Sequence, residues 1–588
     1  MRPARRVTGL ITAIAAAAAM LAPPPAAAAA PAGALVLTPG ARQALRPLLV
    51  QDYQGRMKPL DTLSRELAIK VTRSERFAGR DPLDLVLGWA VDPGAWWDRP
   101  VIAVRSAAVR EMLGLDPAAT HVSAARLVDE DGAYRLRGAV DEALRTPNRE
   151  LRRSQRKLLG FNERAQLFLM TTRQATLRLY PLPGDPRRAW LGIEELSARL
   201  GPEDRAPFLA ANAQLLDALA AGDEAAVIAA AAAHDALQRE HGAAVIPSPA
   251  ALGGELLLNR AAPFRRVIWP YLAAGILLLI AYLASLAGRG ADAARRVLYA
   301  AGLLLLALAL LAELGGFVLR WLAAGRAPLS NGYETLVWIS LVVALSGLLF
   351  ERRERTGLVA SLGALLTAGI LGVSLLAFFD PAIGPLVPVL DSPWLIIHVT
   401  VVTASYGFLG LAALLGAVIL GLHLGKRPGR MGLRAAIGRL HRVNQRVLLT
   451  GLALLAVGTV LGAVWANESW GRYWGWDAKE TWSLVSILVY AAVAHFRFLP
   501  GLARPWPTAA GSFAAIAAIV MTYFGVNYFL SGLHSYAGGE MAAVPDWVGL
   551  TALGMAALLL VSWEFESRRS WEPVHADPPR DEDERNEA

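Results

Sequence analysis

None of the 588 residues is a cysteine, so the chain can form no disulfide, no thiolate metal site and no redox dithiol of its own. Any sulfur chemistry belongs to a partner or a substrate. Charge is scarce as well: 18% of residues are Asp, Glu, Lys or Arg against 55% hydrophobic, with a mean hydropathy of +0.38, which is too apolar for an ordinary soluble protein of this length. There is no Gly-rich phosphate loop ending in Lys-Ser/Thr, which argues against ATP hydrolysis. No nucleophile constellation stands out, which argues against a membrane hydrolase. The formal charge of +9 does not point to nucleic acid, because the basic residues cluster in short segments between apolar runs, where the positive-inside rule puts them.

What is present is a repeated apolar run. From about Val267 onward, stretches of roughly 20 apolar residues recur, long enough at ~1.5 Å per residue to cross a ~30 Å hydrocarbon core. They predict nine spans at about 267–287, 296–320, 333–350, 357–379, 395–423, 446–465, 481–497, 509–530 and 546–563. The expected fold is therefore an all-α polytopic membrane bundle of about nine transmembrane helices over 263–565, with a cytoplasmic charged tail at 566–588. Residues 1–30 have a basic start, a short apolar run and small residues suited to cleavage near Ala30, so they read as an export signal, with an uncleaved anchor as the alternative. That signal makes residues 31–262 an exported soluble region of mixed or mainly helical structure. Within it, AAVIAAAAAHDAL reads as a soluble helix because it carries His234 and Asp235. GRMKPLDTLSRE reads as a turn followed by a helix that Asp61 can cap.

With the soluble region outside a bacterial cytoplasmic membrane, the inward loops carry Arg289, Arg295 and Arg296, then Arg352, Arg353 and Arg355, then the basic run from Lys426 to Arg446. The opposite loops carry few positive charges. The export signal and the charge bias give the same periplasmic placement for the loop WANESWGRYWGWDAKETW, residues 465–482. Its Trp465, Trp470, Trp474, Trp476 and Trp482 are denser than an interfacial belt, the bland alternative. A flat shelf of indoles on backbone turned by Gly471 and Gly475 suits a large planar ligand with a wet polar edge, and a porphyrin fits.

A metalloporphyrin also needs axial ligands. His398, at the outer start of the fifth span, and His534, just beyond the outer end of the eighth, flank the tryptophan loop, and neutral imidazoles can fill both axial positions of haem iron. His495 lies 15 residues after Glu480, about 22 Å along a helix, so it cannot reach the same iron. It is either a snorkelling interfacial residue or the ligand of a second haem station. His121, His234, His241, His423, His441 and His575 carry no ligand role. Glu313 and Glu334 are costly carboxylates within spans, the second near a helix start where water can reach it. Asp477, Lys479 and Glu480 can cap the seventh span, and Arg472 or Lys479 can pair with propionates.

At WGRYWGWDAKETW the sequence resembles the WWD signature of the haem-handling superfamily that includes CcsA (ResC), CcmC and CcmF. GRAPLSNGYETLVW at 325–338, WLIIHVTVVTASYG at 394–407, the VNQR leading into the sixth span and YFLSGLHSYAGG at 528–539 are similar to the CcsA branch, so the likeness covers most of 296–565. The resemblance implies that His398 and His534 are external haem ligands and that His495 helps form a transmembrane haem site. It implies haem b as cargo, a CcsB (ResB)-like partner subunit, and covalent attachment of haem to the Cys-Xaa-Xaa-Cys-His motif of apocytochrome c as in System II synthases. Fused relatives have a further transmembrane histidine from the CcsB part, and the first four spans here contain none, so a separate partner is expected to supply it. The segments QDYQGRMKPLDTLSRE and DPGAWWDRP look like the external region preceding the CcsA part in some fused members. A CcmC-like haem chaperone without synthase activity and a non-haem solute transporter are the alternatives.

Overall fold

The structure, a computed structural model, describes residues 35–147, 150–185, 188–287, 292–376, 379–386, 388–530 and 546–569. The chain divides into two compact units, Met1–Asn259 and Arg260–Ala588.

The N-terminal unit is mainly helical. Its principal helices are α1 (Pro39–Leu45), α2 (Leu60–Thr72), α3 (Pro82–Val91), α4 (Arg153–Thr172), α5 (Pro202–Ala221), α6 (Glu224–Gly242) and α7 (Pro249–Ala261). Six short strands pair as antiparallel ribbons: β1 (Leu49–Gln51) with β2 (Met57–Pro59), β3 (Ile102–Ala103) with β4 (His121–Val122), and β5 (Tyr180–Pro181) with β6 (Trp190–Leu191). Two-residue ribbons bury little by themselves, so the core is helical: Trp89 of α3 meets Phe168 of α4 edge-on at 5.3 Å and Trp96 at 6.4 Å. The Ala-rich stretch forms α6, with the carboxylate of Asp223 accepting from the N–H groups of Ala225 and Ala226, the usual N-cap arrangement.

The two segments that sequence alone left without a role are structural. In DPGAWWDRP, Asp92 caps a short turn and Trp96 fills the core. In QDYQGRMKPLDTLSRE, Asp52 closes the β1–β2 turn by accepting from the N–H groups of Gln54 and Arg56, both at 2.9 Å. Asp61 does not cap the helix as expected. The helix starts at Leu60, two residues earlier than a cap at Asp61 requires, after an extended Pro59 that offers no capping side chain, and Asp61 in the first turn accepts instead from Arg65 at 2.9 Å and Asn259 at 3.0 Å while pairing with Arg46 at 3.3 Å. Glu255 of α7 takes Arg56 at 2.5 Å and Thr62 at 2.8 Å, and Lys58 sits between Asp52 and Glu66 at 2.8 Å each. Charges this well buried persist only when paired, so the segment is an ionic clamp joining α2 to α7.

The C-terminal unit contains α8 (Ile268–Ala287), α9 (Asp292–Ala324), α10 (Gly332–Glu354), α11 (Leu358–Ser374), α12 (Pro393–His423), α13 (Met431–Trp470), α14 (Ala478–His495), α15 (Pro505–Val520) and α16 (Asp546–Arg568). Each expected span is matched by a helix. Among the described residues, eight helices are long and apolar enough to cross a membrane, while α11 is apolar but 17 residues long. This is a multi-pass membrane protein. The sixth helix departs most from expectation: α13 runs 40 residues because the basic segment read as a loop, including Arg434, Arg439 and Arg442, continues the helix beyond the apolar stretch.

The α12–α13 pair sets the site. Gly451, Gly458 and Gly462 line one stripe of α13, and a Cβ at each would lie within 3 Å of Leu409, Val402 and His398 respectively. These contacts share one antiparallel register, which Ser392 extends by donating to Glu468 at 3.3 Å. Small residues spaced this way let two apolar helices approach closely.

Polar groups inside the bundle are satisfied by one another. Glu313 accepts hydroxyl hydrogen bonds from Tyr271 and Ser340, each at 2.5 Å. Glu334 is not water-accessible as expected but fully buried. It accepts from Arg320 Nε and Nη2 at 3.0 and 2.9 Å and from the Ser330 N–H and hydroxyl at 2.9 and 2.8 Å, while Asn331 caps α10. Much of GRAPLSNGYETLVW is thus a helix start that also seats Arg320 and Arg326 on the carbonyls of Pro381 and Gly384.

Candidate haem site at the tryptophan loop

The loop is turned by its backbone. Gly471 ends α13 in the left-handed region with φ 71°, and Asp477 begins α14 by accepting from the Lys479 N–H at 2.7 Å. Glu480 completes a capping box and does more, because one carboxylate oxygen accepts from the N–H groups of both Gly475 at 2.7 Å and Asp477 at 3.2 Å. Between them Trp476 holds φ 55°, a conformation that costs a bulky residue on the order of 1–3 kcal/mol and persists only where the surroundings impose it. Its indole is 70% exposed.

The tryptophans do not form the single flat shelf expected. Trp465 and Trp470 meet edge-on at 4.8 Å between centroids, and Trp474 and Trp476 do so at 5.8 Å and 88°, as ring quadrupoles favour. Trp465 is buried at the top of α13, whereas Trp482 lies in the first turns of α14, its carbonyl accepting from Ser486 at 2.8 Å and Thr522 at 3.2 Å. Trp474 Nε1 is buried without a hydrogen-bond partner among the described residues.

His398 lies on α12 against this end of α13. Its Nδ1 is 2.7 Å from the carbonyl oxygen of Gly458; a carbonyl only accepts, so Nδ1 carries the proton and Nε2 the lone pair. Such an imidazole is oriented as a metal-ligating histidine is, with the second nitrogen tied to a carbonyl. Together with the Trp474 donor and the exposed face of Trp476, these residues fit a metalloporphyrin. His495, at the far end of α14 from the loop, makes the same bond with Ala491 at 2.7 Å and has its ring exposed. His534 lies outside the described residues. Of the two cations considered for propionates, Lys479 turns to Asn527 Oδ1 at 3.1 Å, while the guanidinium of Arg472 packs over Gly475 in place of any side chain there. Sequence reasoning missed Gly458 and Gly462, which orient and admit His398; the small-residue spacing on α13 was the available signal.

The family described as Cytochrome C assembly protein matches residues 329–534. The cytochrome c biogenesis protein CcsA of Synechococcus sp. (strain CC9902) is 34% identical over 305 residues, 47% of this chain and 98% of that protein. The chain belongs to the CcsA family. CcsA of Parasynechococcus marenigrum (strain WH8102) is 36% identical over 263 residues, 40% of this chain and 85% of that one. Protein NrfI of Wolinella succinogenes is 38% identical over 496 residues, 84% of this chain but 54% of its own, so the chain spans about half the length of NrfI. A solved cytochrome c haem lyase, CcmF, overlaps at a TM-score of 0.36 and 18% identity, covering 55% of this chain and 52% of that one, a likeness too slight to argue from. Membership places this CcsA-family chain in cytochrome c biogenesis and implies that it handles haem.

Proposed function

We propose that this CcsA-family chain carries haem b to the outer face of a bacterial cytoplasmic membrane and attaches it to apocytochrome c as part of a System II synthase. The observation that carries this reading is the His398 imidazole, locked by Gly458 with its lone pair on Nε2 and seated one helical turn from Trp465. In this reading His398 and His534 are the axial ligands of the outer station, and Trp465, Trp470, Trp474, Trp476 and Trp482 bound it. Arg472, whose guanidinium lies over the loop, faces the propionates. Lys479 acts indirectly, holding α14 to Asn527.

Each thiol of the Cys-Xaa-Xaa-Cys-His motif adds across one vinyl group, sulfur bonding to one carbon and the proton passing to the other, with no net oxidation. Such a step needs orientation more than a protein nucleophile, which agrees with a chain that has no cysteine. Its contribution is to hold the cargo by two imidazoles and present its edge at the loop.

His495 is the inner station in this reading. Its ring is exposed and the first four spans contain no histidine, so in this reading its second ligand comes from a CcsB-like subunit. Arg352, Arg353, Arg355, Lys426, Arg427 and Arg430 cluster at the bundle end away from the tryptophan loop, which favours a cytoplasmic position for that end and for the C-terminal tail.

The test is the absorption spectrum of the full chain purified in mild detergent with its CcsB-like partner, beside His398→Ala, His534→Ala and His495→Ala. Altered haem spectra and lost cytochrome maturation in the first two, with separate depletion in the third, are expected. No haem in the wild-type complex would instead favour a solute transporter; bound haem without thioether formation would favour a chaperone.

A further inference from the structure

The carboxyl of Glu313, on α9, is fully buried where four helices of the bundle meet. Tyr271 of α8 donates its hydroxyl hydrogen to Oε2 at 2.5 Å, and Oε1 stands 2.5 Å from Ser340 Oγ of α10. Thr367 of α11 donates in turn to the Ser340 carbonyl at 3.2 Å. Tyr271, Ser340 and Thr367 are as inaccessible as the carboxyl itself.

Among the described residues Glu313 makes no ion pair. Arg320, about two turns along the same helix, is spent: its Nε and Nη2 donate to Glu334 and its Nη1 to the Pro381 carbonyl. Pro263 and Phe264 pack against Gly316 on that helix, and Tyr333 of α10 meets Phe264 edge-on, which brings apolar surface and a neutral phenol but no charge. The buried carboxylates of α10 are held differently. Glu334 is bound by two guanidinium groups, and Glu351 accepts from the N–H groups of Gly357 at 2.5 Å and Ala360 at 3.3 Å. A carboxylate with neither kind of partner is costly to keep ionised in a membrane interior, and it takes up a proton instead.

Counting hydrogens gives the same answer. Ser340 Oγ also lies 2.7 Å from the Val337 carbonyl oxygen. With Glu313 ionised, its two oxygens and that carbonyl are three acceptors, and the two hydroxyls supply only two hydrogens. A proton on Oε1 completes the set: the acid donates to Ser340, Ser340 to Val337, and Tyr271 to Oε2.

We propose that Glu313 is a proton-binding site, a neutral carboxylic acid whose O–H donates to Ser340 and so joins α9 to α10. Withdrawing that proton leaves an unpaired charge between α8, α9 and α10, so the packing of these helices depends on the proton they enclose. The site is independent of the haem reading, since no residue of the tryptophan loop takes part.

The test is infrared spectroscopy of the full chain in detergent at neutral pH, where the C=O stretch of a protonated carboxyl stands apart from the bands of ionised carboxylates. Glu313→Gln, close to the acid in shape, is expected to lose one such band. Ser340→Ala keeps Glu313 but removes the acceptor of its O–H, and is expected to move the same band to higher frequency. Loss of an ionised-carboxylate band in Glu313→Gln, or an acid region unchanged by that substitution, overturns the proposal. Should Glu313→Gln fail to fold, Ser340→Ala decides alone: a shifted acid band supports the site and an unmoved one overturns it.

Discussion

The imidazole of His398 occupies the space that a side chain at residue 462 would need: a Cβ on Gly462 would lie 2.6 Å from Cε1 and 2.8 Å from Nδ1 of that ring. The smallest possible addition there must move the histidine or part the helices. Gly462→Ala is expected to alter the haem spectrum much as His398→Ala does, at an overpacking cost of about 1–3 kcal/mol. Gly432→Ala, on the same helix with open space around it, is the control. A wild-type spectrum from Gly462→Ala would show that the ring's present position is immaterial to haem.

The aspartate of the tryptophan signature is a helix cap. Asp477→Ala should cost about 1 kcal/mol and loosen the loop, whereas Asp477→Asn, an equally good cap, should preserve it. Tryptophan fluorescence and trypsin cleavage after Arg472 read this out: a red shift and faster cleavage are expected in the alanine variant alone. The same loosening in both variants would mean that the negative charge matters more than the cap.

The α2–α7 clamp makes a prediction for stability. Glu255→Gln leaves the Arg56 guanidinium largely buried without its counter-charge, a loss of about 3–5 kcal/mol when one partner of a buried pair is removed. Hydrogen exchange in segment 249–259 of the full chain should accelerate correspondingly. Unchanged exchange would show that apolar packing alone holds α7.

Burial, opposed by the bond to the Ala230 carbonyl, lowers the pKa of His234, whose Nε2 stands 3.1 Å from the Tyr180 hydroxyl. The folded N-terminal unit therefore binds a proton here less readily than the unfolded chain, whose histidine titrates near ~6.5. Stability from this group is complete above that value and is lost as pH falls below it, at no more than about 1.4 kcal/mol per pH unit. Exchange protection of α6 should fall between pH 7.5 and 5.5, and His234→Asn should flatten that dependence. An equally steep fall in the variant would assign the effect elsewhere.

The membrane bundle was legible because a span has few ways to satisfy its backbone in lipid, and nine apolar runs became nine helices. The capping of α14 was legible too, since Asp477 and Glu480 carry the signature spacing. Less could be read where side chains meet across sequence distance. Asp61 looked like a cap because its neighbours did not reveal that Asn259 and Arg46 would claim it. Glu334 looked wet because Arg320, 14 residues away and on another helix, was not visible as its partner. The five tryptophans announced an aromatic site, but ring geometry follows from packing, so a flat shelf became two edge-to-face pairs.

The bonds that Glu255 and Asn259 make to Arg56, Thr62 and Asp61 decide where the chain can be divided. An excised N-terminal fragment that stops before Pro249, where composition would suggest trimming ahead of the apolar stretch, would strip Arg56 and Thr62 of Glu255 and take Asn259 from Asp61, which would keep only Arg46 and Arg65. A fragment carried through Asn259 keeps every one of those bonds, so α7, which precedes the first apolar span in sequence, is also the last piece needed to finish the N-terminal fold.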